Sequence, residues 1–264
     1  MNNYYASAEK DSTEYSRRKL VESIQDSISI DRFDRIGIQT GWRCLEVGAG
    51  AGSIAYWLSE KVGVTGQVVA TDSDTRFLHS DKYSNLDVRK HDIELDVLEE
   101  NEFNFIHCRC VLMHLKNSTD ALRKLAMALK PNGYIMLEEP DFSTFLAEGK
   151  PENSLTTVRH TFSQIETAIS SKHMSLYLGR KLPQLLAELG FENIITDEHC
   201  TTLSGGSVAA SIHCKGWSIL MKQGMAGELT EEAYMSAMAY MNNPNFTFKN
   251  ATNVGVWACK SAKN

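Results

Sequence analysis

A glycine-rich turn between an apolar strand and a helix constrains the fold of this chain more than any other feature. The predicted strand at residues 42–47 runs directly into Gly48-Ala49-Gly50-Ala51-Gly52, and a helix follows at residues 53–62. Because glycine has no Cβ, such a turn lets the backbone approach a ligand closely. The helix adds free N–H groups and the positive end of its dipole. The turn therefore indicates a ligand-binding β–α unit.

Strands and helices continue to alternate along the 264 residues. Further strands are predicted at 67–71, 86–90, 103–108, 134–138, 191–196 and 255–260, and further helices at 12–36, 120–129, 155–170, 182–189, 207–224 and 230–243. Strands separated by helices form parallel β–α–β units. We predict one α/β domain over 1–264, with an N-terminal helical segment at 1–40 and helical insertions at 141–182 and 204–253.

Composition excludes several classes of protein. With 27 Lys and Arg against 33 Asp and Glu, the net charge is −6, and nucleic-acid binding calls for clustered positive charge. No apolar run reaches the roughly 20 residues of a membrane helix, and the first residues are too polar for a signal peptide. The six cysteines, Cys108-x-Cys110 included, lack the paired spacing of a zinc site. We expect a cytoplasmic protein without metal, membrane or nucleic-acid partner.

Two carboxylates strengthen the interpretation of the glycine turn. Glu46 stands two residues before Gly48 at the carboxyl end of its strand, where it can accept from the ammonium group of a ligand. Asp72 ends the next strand, where a carboxylate can hold both ribose hydroxyls of a nucleoside. The alternative, in which the glycines only make a tight turn and Asp72 only caps a helix, stays open.

With these residues the chain resembles the class I S-adenosylmethionine-dependent methyltransferases over residues 42–141. The resemblance rests on Glu46-x-Gly48-x-Gly50-x-Gly52, on Asp72, on Asp92-Ile93 after the third strand, and on the sequence LKPNGYI at 129–135. It implies a Rossmann-like, seven-stranded, mostly parallel sheet with the last strand antiparallel and helical lid insertions. The implied cofactor is S-adenosylmethionine, with S-adenosylhomocysteine as product. Residues 42–55 and 108–115 are most similar to bacterial small-molecule enzymes, many of them in secondary metabolism.

The same resemblance assigns cofactor-binding residues. It implies that Glu46 and the glycine turn contact the methionine part, that Asp72 binds the ribose, and that Asp92 and Ile93 hold the adenine. The full predicted set is Glu46, Gly48, Ala49, Gly50, Gly52, Asp72, Ser73, Asp92, Ile93, Cys108 and Arg109. Arg109 has two open alternatives, a substrate carboxylate or Glu138.

Methyl transfer from a sulfonium is an in-line displacement that depends on positioning the acceptor, and on a base where the acceptor carries a proton. His114, Asp141 and His213 are the candidate catalytic residues, since they follow strand ends or lie in an insertion, and histidine titrates near neutral pH. Each histidine could equally be a core or solvated residue. The predicted substrate-binding residues are Tyr15, His114, Phe142, His160 and Trp217. For each of the N-terminal aromatic residues Tyr4, Tyr5 and Tyr15, the alternative is that the ring only packs against other residues and does not contact a ligand.

Several functions remain as alternatives. An NAD(P)-dependent oxidoreductase shares the glycine turn and the ribose carboxylate, but no Tyr-x-x-x-Lys follows the fifth strand, and Glu46 would repel a pyrophosphate. A non-catalytic, cofactor-binding subunit is a second alternative. The absence of Asn-Pro-Pro-Tyr or Asp-Pro-Pro-Tyr after the fourth strand disfavours a nucleic-acid methyltransferase. We favour O- or N-methylation of a small organic acceptor over C-methylation, and leave a homodimer open.

The last expectation concerns the lid. The sheet and the glycine turn hold only the cofactor, so the walls of the acceptor site must come from elements outside the core. These are the N-terminal helix near Tyr15, the segments after the strands at His114 and at Asp141-Phe142, and the insertions that hold His160, His213 and Trp217. We expect His213 or Trp217 to lie closer to the transferred methyl group than any residue of the helix at 53–62. The alternative is that residues 207–224 pack away from the site as a dimer helix.

Overall fold

A seven-stranded sheet forms the centre of the structure, a computed structural model that describes residues 12–148, 152–170, 174–222 and 229–262. Its strands are β1 (Arg43–Val47), β2 (Gln67–Asp72), β3 (Leu86–Lys90), β4 (Phe103–Arg109), β5 (Leu129–Asp141), β7 (Phe191–His199) and β10 (Thr252–Lys260). Their order is β3-β2-β1-β4-β5-β10-β7. The first five strands are parallel, and β10 is antiparallel to β5 and β7. The predicted Rossmann-like fold class is confirmed.

Seven helices surround the sheet in the described residues: α1 (Ser12–Ile36), α2 (Ser53–Val62), α3 (Ser118–Ala128), α4 (Glu152–Ser170), α5 (Leu182–Glu188), α6 (Val208–Lys222) and α7 (Glu231–Asn242). Alternate residues of each strand face opposite sides, so the sheet separates two apolar clusters. One holds Phe33 of α1 and Leu58 of α2, and the other holds Leu122 of α3 and Leu186 of α5. The Thr230 side chain caps α7 by accepting a hydrogen bond from the Ala233 N–H.

The two insertions contain the expected helices and a small sheet that was not expected. Strands β6 (Leu146–Glu148), β8 (Thr202–Ser204) and β9 (Thr247–Lys249) pair antiparallel in the order β6-β9-β8. Three-residue strands are too short for alternation to identify them. This sheet joins both insertions, because β6 lies in the first and β9 in the second.

Among the predicted boundaries, the start of β5 differs most from the structure. The segment at 130–133 ends the preceding helix as expected, but β5 already begins at Leu129 and passes through it. The pairing with β4 shifts there, from Phe103 opposite Leu129 to Phe105 opposite Tyr134, with Asn132 at φ 60°. A bulge thus carries the strand through residues that usually break one. Within the described residues, no helix has the length and apolar character needed to cross a membrane.

Candidate active site

A cavity of about 1240 Å³ opens at the carboxyl ends of the parallel strands, between the N-terminal half of α1 and the face of α6. This is the edge at which open α/β sheets bind their ligands. Pockets for one small molecule commonly measure about 300–1,000 Å³. The cavity is therefore large enough for a cofactor and an acceptor together.

The glycine turn after β1 forms one wall of the cavity. Gly48 and Gly50 have φ values of 70° and 63°, a region that favours glycine. A Cβ on Gly48 would lie 2.2 Å from Val111 Cγ2, whereas a Cβ on Gly50 would meet only the Gly48 carbonyl oxygen, at 3.9 Å, and would otherwise fill open space. The bare backbone at Gly50 leaves room for a ligand to touch the chain.

Three predicted carboxylates line this wall at the ends of successive strands: Glu46, Asp72 and Asp92. Asp72 is the most strongly held by the backbone, since it accepts from the N–H groups of Gly50 and Asp74, both at 2.9 Å. Burial raises the pKa of Asp72, and the neighbouring Arg18 guanidinium opposes that rise. These groups match the ammonium, ribose and adenine amine of S-adenosylmethionine in kind and order, so the site fits that cofactor.

The sequence predicted that α1 near Tyr15 contributes to the acceptor walls, but it did not identify the contribution of α1 to this cofactor wall. Arg18 of α1 donates to the Gly50 carbonyl oxygen at 3.2 Å and lies 3.5 Å from Asp72 Oδ2. Its guanidinium also pairs with Glu14 one turn earlier. The paired arginines Arg17 and Arg18 were the available signal, but nothing in the sequence says which strand end they reach. The helix therefore covers the predicted ribose site.

The opposite wall is apolar and comes from the insertions. Its described residues include Phe142, Ile169, Met174, Leu203, Val208, Ile212, His213, Trp217 and Leu220. His213 Nε2 lies 2.9 Å from Asn250 Oδ1; since an amide oxygen only accepts, this nitrogen carries the proton and Nδ1 keeps its lone pair. Burial lowers the pKa of His213. His213 is therefore a neutral imidazole in an aromatic surrounding.

The structure brings many predicted residues to this cavity. Besides those already described, Ala49, Ser73, Ile93, Arg109 and His114 line it. Burial lowers the pKa of His114 to about 4, and the nearby Arg17 acts in the same direction. Arg109 donates to Asp26 and to Ser29 of α1, both at 2.8 Å, and neither of these hydrogen bonds goes to Glu138.

Other predicted residues lie outside the lining of the cavity. Asp141 pairs with Arg180 through both oxygens, at 2.7 and 2.9 Å, and these hydrogen bonds lower its pKa against the effect of burial. His160 is exposed on α4, and Cys108 is buried within β4. Tyr15 packs on Phe77 with a ring separation of 5.2 Å. Gly52 is also outside the lining, and Tyr4 and Tyr5 lie outside the described residues.

Replacing Asp72 by alanine should weaken S-adenosylhomocysteine binding by about 1.5–3 kcal/mol, the range for hydrogen bonds to a charged group. Asp72→Asn should lose less, because its amide oxygen can still accept from Gly50. Calorimetric titration measures both, with exposed Asp81→Ala as control. An affinity of Asp72→Ala within twofold of the unchanged protein would place the ribose elsewhere.

Glu139 supports the loop that faces the glycine turn. Its Oε1 accepts from the N–H groups of Val111 and Leu112, at 3.0 and 2.7 Å, while its buried Oε2 has no hydrogen-bond partner among the residues that the structure describes. Burial raises the pKa of Glu139 to about 8. The carboxyl group is therefore protonated at neutral pH.

This burial gives the stability a pH dependence of defined sign. Between its ordinary pKa and about 8, folded Glu139 keeps a proton that the unfolded chain has lost, so stability falls as pH rises. From about pH 5 to about pH 8 the unchanged protein should lose on the order of 2 kcal/mol more than Glu139→Gln, which cannot ionise. Urea unfolding at both pH values tests this; equal losses would contradict it.

Comparisons with known proteins agree with this geometry. A family model described as a methyltransferase domain matches residues 17–195. The ubiquinone/menaquinone biosynthesis C-methyltransferase UbiE of Pseudomonas fluorescens is 31% identical over 136 residues, which are 48% of this chain and 50% of that protein. The UbiE protein of Legionella pneumophila (strain Paris) is 28% identical over 67% of this chain and 76% of its own length. The chain thus spans about half the length of the Pseudomonas relatives.

Solved structures share the fold at low identity. Phosphoethanolamine N-methyltransferase 2 of Haemonchus contortus, solved with phosphomonomethylethanolamine and S-adenosylhomocysteine, has a TM-score of 0.57 at 17% identity, over 94% of this chain and 57% of that one. The cyclase SpnF has a TM-score of 0.53 at 16% identity, over 89% and 80%. A fold shared by a methyltransferase and a cyclase does not by itself assign an acceptor.

Proposed function

The chain belongs to the class I S-adenosylmethionine-dependent methyltransferases, and we propose that it methylates a large, uncharged, mainly apolar molecule that carries an ionisable hydroxyl group. Membership in this family replaces the oxidoreductase alternative and makes S-adenosylmethionine the cofactor. When bound, the cofactor supplies an electrophilic methyl group on a sulfonium. The acceptor, the wall of the cavity that binds it and the general base are the proposed parts of this function.

The cofactor half of the site is proposed to be the wall with the three carboxylates. Glu46 accepts from the ammonium group, Asp72 from the ribose hydroxyls and Asp92 from the adenine amine. Arg18 now holds Asp72 and the glycine turn, so it must yield part of that contact when ribose binds. The position of α1 over this wall excludes water from the cofactor.

The acceptor half is proposed to be the apolar wall, and its lack of charge is the observation that carries the proposal. Among the described residues lining the cavity from Pro140 to Asn253, no Lys, Arg, Asp or Glu is present. A charged acceptor would lose its hydration there without gaining a counter-charge. Aromatic and branched side chains such as Phe142, Ile212 and Trp217 favour an apolar acceptor instead.

His213 is proposed as the base. Its neutral state and its hydrogen bond with Asn250 leave Nδ1 able to take a proton. The ring lies 6.3 Å, centroid to centroid, from Phe142, which directly follows the carboxyl end of β5. His213 thus lies near the carboxyl end of β5, on the edge of the sheet where the cavity opens.

The accepting atom is proposed to be a ring carbon next to the hydroxyl group, because the relatives named above are C-methyltransferases of ubiquinone and menaquinone biosynthesis. Removing the hydroxyl proton makes that carbon more nucleophilic. The hydroxyl oxygen is the second candidate, since the same deprotonation serves it. Transfer to nitrogen is the least favoured, because an amine enters this pocket only after losing its charge.

A panel of acceptors of similar size tests the proposal. The protein is incubated with S-adenosylmethionine and alkyl-substituted naphthols and quinols, with matched naphthylmethylamines, which are cationic at neutral pH, and naphthoic acids for comparison. We expect S-adenosylhomocysteine to form fastest with the hydroxylated compounds. NMR of the product distinguishes a ring methyl group from a methyl ether. Faster turnover of the amines or the acids would overturn the proposed acceptor class.

A further inference from the structure

His107 in β4 is fully buried between two carboxylates. Its Nδ1 lies 2.7 Å from Glu46 Oε2, and its Nε2 lies 2.9 Å from Glu138 Oε2. A carboxylate oxygen accepts hydrogen bonds, so both ring nitrogens must donate, and an imidazole donates from both nitrogens only as a cation. The geometry therefore makes His107 an imidazolium inside the protein.

The groups around His107 come from four elements. Glu46 faces it from β1 and Glu138 from β5, while Phe33 of α1 meets the ring edge-on at 4.9 Å. Beyond Glu138 lie Arg32 and Ser29 of α1, both bonded to its carboxylate, and Arg109 lies beside them on β4. Charges thus alternate from Glu46 to His107, Glu138, Arg32 and Asp197 across the sheet.

The protonation states follow this alternation. Burial alone would lower the pKa of His107, but Glu46 and Glu138 raise it to about 9. Burial would raise the pKa of Glu138, yet the hydrogen bond and the charge of His107, with Arg109 and Arg32, lower it to about 2. Both groups are therefore ionised at neutral pH.

Glu46 depends on His107 more than Glu138 does. Burial raises the pKa of Glu46, and His107 provides the largest opposing effect, followed by Arg109. Glu138 has Arg32 as a second bonded cation, whereas the charged partner bonded to Glu46 is His107. Without the imidazolium, the effect of burial on Glu46 would lose its largest opposition, and the pKa of Glu46 would rise further.

We propose that His107 is a positioning residue for the cofactor: it keeps Glu46 ionised and fixes one carboxylate oxygen, so that the other oxygen receives the ammonium group of S-adenosylmethionine. The inference rests on the proposed contact between Glu46 and that ammonium group. A protonated Glu46 would present no net charge to the ammonium, and the attraction that a charged partner provides would be lost. His107 thus acts on cofactor affinity through Glu46, without touching the cofactor.

Binding of S-adenosylhomocysteine to His107→Gln tests this by calorimetry. At about pH 7 we expect affinity to fall at least about tenfold, because Glu46 loses the cation that favours its ionised form and fixes one of its oxygens. Raising the pH should restore affinity to the variant as Glu46 ionises, while the unchanged protein should show a flat response from about pH 6 to about pH 8. Exposed His79→Gln is the matched control and should behave like the unchanged protein.

A ligand without the amino-acid part separates this role from a structural one. 5′-Methylthioadenosine has no ammonium group, so its affinity should be the same for His107→Gln and the unchanged protein. Equal weakening of both ligands, or S-adenosylhomocysteine affinity within twofold of normal, would overturn the proposal. Since no acceptor is involved, this result is independent of the proposed acceptor class.

A measurement on the unchanged protein covers the case in which the variant does not fold. In ¹⁵N NMR spectra, both His107 ring nitrogens should have the shifts of a protonated imidazolium at about pH 7, with and without S-adenosylhomocysteine. A neutral tautomer would overturn the proposal, because the ring would then leave one of its two carboxylates without a donor.

Discussion

Replacing Arg32 by methionine should lower the free energy of unfolding by about 3–5 kcal/mol, the cost of breaking a buried ion pair from one side. The guanidinium is 1% exposed and contacts Glu138, Asp197 and Asn253. Methionine fills much of the volume but leaves these acceptors without their donor. Urea unfolding at about pH 7 measures the loss.

Arg35 offers a matched control on the same helix. It pairs with the same Asp197, but 51% of its side chain is exposed, and exposed ion pairs contribute at most about 1 kcal/mol. Arg35→Met should therefore cost much less. Gly255→Ala should also lower the free energy of unfolding, by less than Arg32→Met does. The reason is that a Cβ at residue 255 would lie 2.4 Å from Arg32 Cζ. If Arg32→Met and Arg35→Met lowered the free energy of unfolding by similar amounts, the buried ion pair would contribute no more than the exposed one.

His213→Ala should lower kcat with the preferred hydroxylated acceptor by about 10²–10⁴, the usual contribution of a general base. Binding of S-adenosylhomocysteine should change little, since His213 lies on the opposite wall. In the unchanged protein, kcat should fall at acid pH, where the imidazole gains a proton; its lowered pKa places this fall below the usual range for histidine. Stopped assays across pH measure both effects.

Exposed His160→Ala is the control for this variant and should keep full activity. If His213→Ala keeps kcat within about threefold, while His114→Ala loses it, the base would be the histidine that follows β4. His114 is less suited than His213 to act as the base, because its pKa of about 4 makes it a weak base.

The parts of the site that are local in sequence could be predicted from the sequence. The glycine turn joins β1 and α2 directly, and Asp72 and Asp92 stand at or just after strand ends, so parallel topology alone brings them to one edge. The helices of the insertions were also predictable, because long amphipathic segments have a clear period. The place of His213 and Trp217 in the lining follows from α6, which packs against α1.

The remaining parts depend on contacts between distant segments, which no local pattern encodes. Arg32 reaches Asp197 across 165 positions of the chain, and its space exists because residue 255 is glycine. Asp141 ends a parallel strand, as Asp72 does, but Arg180 from a later turn of the chain donates a hydrogen bond to its carboxylate. His160 has the periodicity of its helix but falls on the exposed face. A short strand such as β9 is defined by its partners alone.

Two of the four arginines of α1 fix the distance between its two contact sites on the rest of the protein. Arg18 reaches the glycine turn and Arg32 reaches the sheet interior, and they stand 14 positions apart, close to four turns at about 3.6 residues each. One residue inserted between them would rotate one arginine by about 100° relative to the other. Arg32 could then reach the sheet interior, or Arg18 could reach the glycine turn, but not both. Length changes in this stretch are therefore forbidden, even where single exposed side chains are free to vary.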